Sequence, residues 1–183
     1  MNRIRTVFVA VIGILTGAIT VAAQEADSQP PAGCYKPVRG FATSLCTDGE
    51  ACKSQAGIYK IVLKNRQGAS GERTLVMTGL FEGAILTMPN ACGAADAAHV
   101  LTARDKVSSI TTGPDVACLT GGGDFVNTIE VVETLSVTGG TGVYSNLIPG
   151  GTVTLTGKLG LKTGINKFKV TPMPGDEVCF DYQ

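Results

Sequence analysis

His99 is the only histidine of the 183-residue chain. Hydrolysis of the serine or cysteine type needs a base of this kind, a nucleophile beside it and an acid that orients it. Asp96 and Asp105 are near it in sequence, and no G-x-S-x-G elbow occurs. A lone histidine beside a β-like run reads as structural or solvent-facing. Glycoside chemistry would need two carboxylates across a cleft. Glu130 and Glu133 have opposite parity in one run, so a strand sends them to opposite faces. Glu133 falls with Val131, Leu135 and Val137 on the apolar side of "DFVNTIEVVETLSV", and so does Asn127. A carboxylate and an amide on that side need partners or water, or they mark a ligand cavity. The competing reading is a register error around a bulge. Asn127 and Glu133 are the candidate cavity residues, and no catalytic residue is assigned. Asp176, Glu177 and Asp181 lack the spacing of a calcium loop.

Glycines raise a second possibility. "GGTG" at Gly139 to Gly142 could cradle a phosphate, but a P-loop continues into G-K-[ST] and a helix. Here "VYSNLIPGG" follows, and Pro149-Gly150-Gly151 breaks any helix. The dinucleotide fingerprint fails for the same reason, and "LTGGGD" at Leu119 to Asp124 fails with it. Both stretches read as turns, and no cofactor is expected.

The six cysteines are Cys34, Cys46, Cys52, Cys92, Cys118 and Cys179. Zinc sites draw on close thiolate pairs with histidines. The closest pair here is Cys46 and Cys52, so no metal site is expected and three disulfides are. Of the fifteen pairings six cysteines allow, the expected set is Cys46–Cys52, Cys92–Cys118 and Cys34–Cys179. Only the first has a local argument, the "TDGEA" turn between its cysteines.

Disulfides imply export, and the N-terminus agrees. "MNRIR" carries Arg3 and Arg5 without an acid, an uncharged run extends from Thr6 to Ala23, and Val21-Ala22-Ala23 ends it. That is the pattern of a secretory signal peptide spanning residues 1–23. An uncleaved anchor and a lipid-attached Cys34 in "AGC" are the alternatives. Cleavage leaves about 160 residues, enough for one domain with a real core. A secreted or periplasmic location follows, with no membrane attachment once the signal is removed. Fifteen basic and fifteen acidic residues are scattered without blocks, which gives no footprint for nucleic acid.

The elements that must position these residues read as strands. Residues 24–33, "QEADSQPPAG", are polar and proline-rich and read as a disordered lead-in. Cys34 to Cys52 reads as irregular, so residues 34–183 form a single β domain with its strands beyond Cys52. "TVTLTGKLGL" puts Val153, Leu155, Leu159 and Leu161 on one face and threonines with Lys158 on the other. "KTG" at Lys162 to Gly164 turns the chain. "INKFKV" resumes the alternation with Phe168 and Val170 on one side. "GIYKIVLK", "AHVLTARD" and "VSSITT" add strands. "RTLVMTGLFEGAILTM", with Gly79 and Gly83 inside it, adds a bulged strand or two short ones. "NACGAADAAHVL" has room for a turn of helix. About eight strands at this spacing define an all-β, antiparallel barrel, with a β-sandwich as the alternative.

The stretch "SVTGGTGVY" followed by "GGTVTLTG" resembles a recurring hairpin of the allene oxide cyclase and dirigent-type barrels. The resemblance covers Thr134 to Leu161 and implies an eight-stranded closed barrel around a central cavity. No functional residue of that superfamily can be matched outside the hairpin. The expected function is non-enzymatic: binding a small apolar ligand, or making protein contacts at the surface. A cyclase- or dirigent-like enzyme and a structural extracellular component are the alternatives.

Overall fold

The computed structural model describes residues 24–25, 28–48, 53–66, 71–85 and 92–182. Residues 1–23, read as a signal peptide, lie outside them, as does Cys52. The strands are β1 (Gln24–Glu25), β2 (Gly33–Cys46), β3 (Ser54–Arg66), β4 (Glu72–Ile85), β5 (Cys92–Ala103), β6 (Ser109–Leu119), β7 (Thr128–Thr141), β8 (Leu147–Gly160), β9 (Ile165–Val170) and β10 (Glu177–Phe180). Among the described residues the only helix is a single 3-10 turn, Gly142–Tyr144. The sheet closes through antiparallel pairing of β4 with β5. The protein is thus an all-β, antiparallel, eight-stranded barrel, as the alternation requires.

The eighth stave is shared. β9 pairs with β2 from Phe41 to Leu45, and β10 pairs with β2 from Gly33 to Tyr35. Both also pair with β8. They run in the same direction, so they form one stave interrupted by residues 171–176. Asp176 holds that interruption: its carboxylate accepts from the Thr152 and Thr154 hydroxyls and from the amides of Thr154 and Met173. β1 lies outside the ring, parallel to β4 at Leu75 and Val76.

Four local readings are corrected. The stretch from Cys34 reads as irregular, yet β2 runs fourteen residues there. A bulge between Pro37 and Arg39 switches its parity, and the barrel side then carries small or polar Ala42 and Ser44 while Phe41 and Leu45 face out. No apolar period survives for the eye to find. The "RTLVMTGLFEGAILTM" stretch is one strand, with unbroken register to β3 from Glu72 to Ala84. The "NACGAADAAHVL" stretch forms no helix from Cys92 onward, because it pairs with β6. Within the lead-in, Gln24–Glu25 is a strand, Pro30 is buried and its carbonyl accepts from Asn146.

The interior is filled by Leu63, Met77, Ile110, Leu135, Val153 and Val178, with Tyr35, Tyr144 and Phe180 toward the β10 end. Cys34 and Cys179 face each other in register and are disulfide-bonded, with a sequence separation of 145. Cys46 and Cys118 are each engaged in a disulfide. Cys92 is the backbone register partner of Cys118 across β5 and β6, and Cys52, the expected partner of Cys46, lies outside the described residues. "GGTG" ends β7 and turns the chain into the 3-10 segment, with Gly142 at φ 60°. It joins two strands and no α-helix follows it.

Closing so long a loop restricts the unfolded chain. Replacing Cys34 and Cys179 together by alanine is expected to lower stability by about 2–5 kcal/mol, read as a fall in the urea midpoint under oxidising conditions. An unchanged midpoint would show that the barrel ends need no covalent tie.

Candidate functional site: a buried histidine–carboxylate layer

One row of the barrel is built from β3 to β6 in direct register: Gln55 opposes Gly83, Gly83 opposes His99, and His99 opposes Thr112. Gly83 carries no side chain, so Gln55 and His99 meet across it, with 3.2 Å between Gln55 Nε2 and His99 Nε2. A Cβ on Gly83 would stand 2.4 Å from His99 Cδ2 and 2.7 Å from His99 Nε2. The glycine is therefore a close-approach site and not a bend.

His99 Nδ1 lies 2.8 Å from Asp115 Oδ2. Asp115 also accepts from the Thr112 hydroxyl at 2.8 Å and from the Ser136 amide at 2.7 Å. The second ring nitrogen faces Glu133, with Oε1 at 3.7 Å. Gln55 Oε1 accepts from Ser44 Oγ at 2.7 Å and from Asn166 Nδ2 at 3.2 Å. Those two donors fix the amide so that Gln55 presents its NH2 to His99. The consistent tautomer has Nδ1–H donating to Asp115 and Nε2 accepting from Gln55.

Glu133 differs from its neighbours. Its side chain is 9% exposed, and among the described residues it makes no hydrogen bond. It borders a cavity of about 20 Å³ walled by Phe81, Leu101, Leu155 and Phe168, a space on the scale of one water molecule. Burial pushes the Glu133 carboxyl above the ordinary 4.5; the charge of Asp115 adds to this and that of His99 opposes it. For His99, burial acts downward, but the Asp115 hydrogen bond and the charges of Glu133 and Asp115 outweigh it and hold the imidazole above 6.5. No lysine or arginine is buried among the described residues. The layer therefore favours one added positive charge between His99 and Glu133.

The two candidate cavity residues part company here. Glu133 points inward as its parity requires, and Glu130 faces out to Lys158 at 3.0 Å. Asn127 is exposed and precedes β7, so its assignment to the cavity is corrected. Its amide and those of Val126 and Thr128 are gathered by Asp124 Oδ1. Asp124 to Asn127 thus form a loop, and the strand begins at Thr128, whereas the alternation reads from Asp124. His99, read as structural or solvent-facing, lies at the centre of the layer. Ala97, Leu101 and Ala103 share its parity and are buried with it, a signal already present in "AAHVLTA". Asp115 had no such signal, because β6 shifts register between Thr112 and Val116, around Gly113-Pro114.

The fold and this layer together define a class: a closed eight-stranded barrel with a filled apolar interior and one polar layer. Comparison with protein families, curated proteins and solved structures finds no match to the chain.

Two outcomes test the layer. Gly83→Ala should lower stability by roughly 1–3 kcal/mol through the forced displacement of His99, measured as a shift in urea midpoint; a neutral change would mean that the row is loosely packed. The pH dependence follows from two raised values. His99 stabilises fully below 6.5 and loses that contribution as pH rises through its folded value. Glu133 becomes costly once pH rises above 4.5. Both make the folded state bind more protons than the unfolded one, so stability falls with rising pH. Asp105 and Asp124 are lowered by loop hydrogen bonds and act only below 3.8. In metal-free buffer the melting temperature should fall between about pH 5 and about pH 8, less steeply in Glu133→Gln. A flat or rising profile would contradict the charge assignment.

Proposed function

We propose that this chain is an exported, disulfide-stapled barrel that acts non-enzymatically, through contact of its outer face with another protein. The observation that carries the reading is a continuous apolar patch on the outside of β9, β2, β3, β4 and β5. Ile165 pairs with Leu45, Ile58 pairs with Leu80, and Val100 lies one row away beside Glu82. With Phe41 these six side chains are 39–55% exposed. Lys167, Lys169 and Lys60 fall in the adjoining positions, opposite Thr43 and Phe41. Contiguous exposed apolar surface with a polar rim is the mark of a contact site. The lysines select a partner with an apolar centre and an acidic rim.

The interior supports the same choice. A small apolar ligand or a cyclase-type substrate needs on the order of 300 Å³ or more. The spaces beside Glu133 and around Ile110 measure about 20 and 10 Å³. Export is supported by the Cys34–Cys179 bridge and by the pattern of the first 23 residues.

The mature chain, immobilised, should retain a partner from the exported proteins of its source cells. That partner, once purified, should bind Leu80→Glu and Ile58→Glu at least about tenfold more weakly than the native chain. Binding should weaken with salt and be unchanged in Ile148→Glu, which sits on β8. Equal binding by all variants would overturn the proposal. So would co-sedimentation with phosphatidylglycerol vesicles without protein capture, since the patch would then serve a lipid surface.

A further inference from the structure

The buried layer has a use that the outer face does not touch. We propose that His99 and Glu133 bind one divalent metal ion of the zinc class inside the barrel, with Asp115 orienting the histidine. A ring nitrogen of His99 and one carboxylate oxygen each from Asp115 and Glu133 lie within 4.8 Å of one another, and all three residues are buried. Asp115 holds Nδ1, which leaves Nε2 between the Gln55 amide at 3.2 Å and Glu133 Oε1 at 3.7 Å; a carboxylate on the far nitrogen is the usual support for a metal-bound imidazole.

The separation suits a shared ion. Two ligands at about 2.0–2.1 Å from zinc and 3.7 Å apart subtend about 125° at the metal. Both oxygens of Glu133, the Nε2 atom and one water would complete a four-ligand shell, and the adjoining cavity of about 20 Å³ has room for that water. Glu133 supplies the independent pointer: a buried carboxylate that makes no hydrogen bond among the described residues, with His99 Nε2 at 3.7 Å, bordering the cavity. Charge gives the same result. Two carboxylates and a neutral imidazole, with no lysine or arginine buried among the described residues, are balanced by one dication. A mixed nitrogen and oxygen donor set favours zinc over calcium or magnesium. Binding requires Gln55 to release Nε2, and its amide keeps Ser44 and Asn166 as partners.

The test uses the mature protein, stripped with chelator and titrated with zinc chloride. One equivalent of zinc per chain should bind and raise the melting temperature. Cobalt(II) should bind with visible absorption of the intensity typical of four-coordinate sites. Glu133→Gln should weaken zinc binding by at least about tenfold, and Asp115→Asn by roughly 10- to 100-fold. The exposed-site control Glu72→Gln should bind as the native chain does. Absence of zinc binding in the native protein would overturn the proposal, as would a weak octahedral cobalt spectrum. Equal affinity in Glu133→Gln would also overturn it, by moving the ion elsewhere. Should a variant fail to fold, stoichiometry and cobalt spectrum of the native chain decide alone.

Discussion

Hydrogen bonding between β4 and β5 closes the sheet, and the rest of the molecule depends on that seam. Gly79 to Ile85 pair with Ala97 to Ala103 across it. An open sheet of this length would expose two edges and could bury either face. Closure removes the edges along the seam and gives every strand one inside. Parity then decides whether a side chain meets the core or solvent. The disulfide between Cys34 and Cys179 ties the β2 and β10 staves at the opposite side of the ring. Two constraints, one hydrogen-bonded and one covalent, thus hold the barrel at two places around the ring.

The inside has little room, and its few polar groups answer to one another. Gly83 leaves a gap in β4 that Gln55 and His99 fill from either side. Asp115 is satisfied by three donors and Gln55 Oε1 by two. Such a network is stable only when its members are paired. Glu133 is the member without a hydrogen bond, which is why protons or a metal ion matter there and nowhere else in the layer. Lysines lie outside, on the faces of β3 and β9, and among the described residues no buried lysine or arginine offsets it.

Much of this was legible, and most exceptions share a cause. β8 and β9 follow their alternation at Val153, Leu155, Phe168 and Val170, which are buried. Leu161 lies in the turn beyond β8 and is exposed, and Thr154, which the alternation turns outward, is buried where Asp176 binds it. Glu133 could be placed inside from Val131, Leu135 and Val137 alone. Asn127 could not, because Asp124 gathers three amides and delays the start of β7. Asp115 follows a register shift and inherits no parity from Ile110. Period-two reasoning holds between bulges and fails across them. His99 needed a different step: its parity was readable, but its partners come from β3, β6 and β7, which only closure brings together.

β2 shows how a single irregularity can shape both faces. Tyr35 and Pro37 point inward, and without a bulge Arg39, Phe41 and Leu45 would follow them. An arginine would then lie in the core, and two large apolar side chains would crowd the layer where Gln55 and Asn166 meet. The extra residue between Pro37 and Arg39 turns the strand over. Ala42 and Ser44 enter the barrel instead, and Ser44 donates to Gln55 and accepts from Asn166. Phe41 and Leu45 move outward, where they join Ile58 and Ile165 in the exposed patch. The polar interior and the apolar exterior are therefore consequences of the same bulge. Removing it would damage both at once, whereas a substitution at Leu80 or at Glu133 changes one face and leaves the other in place.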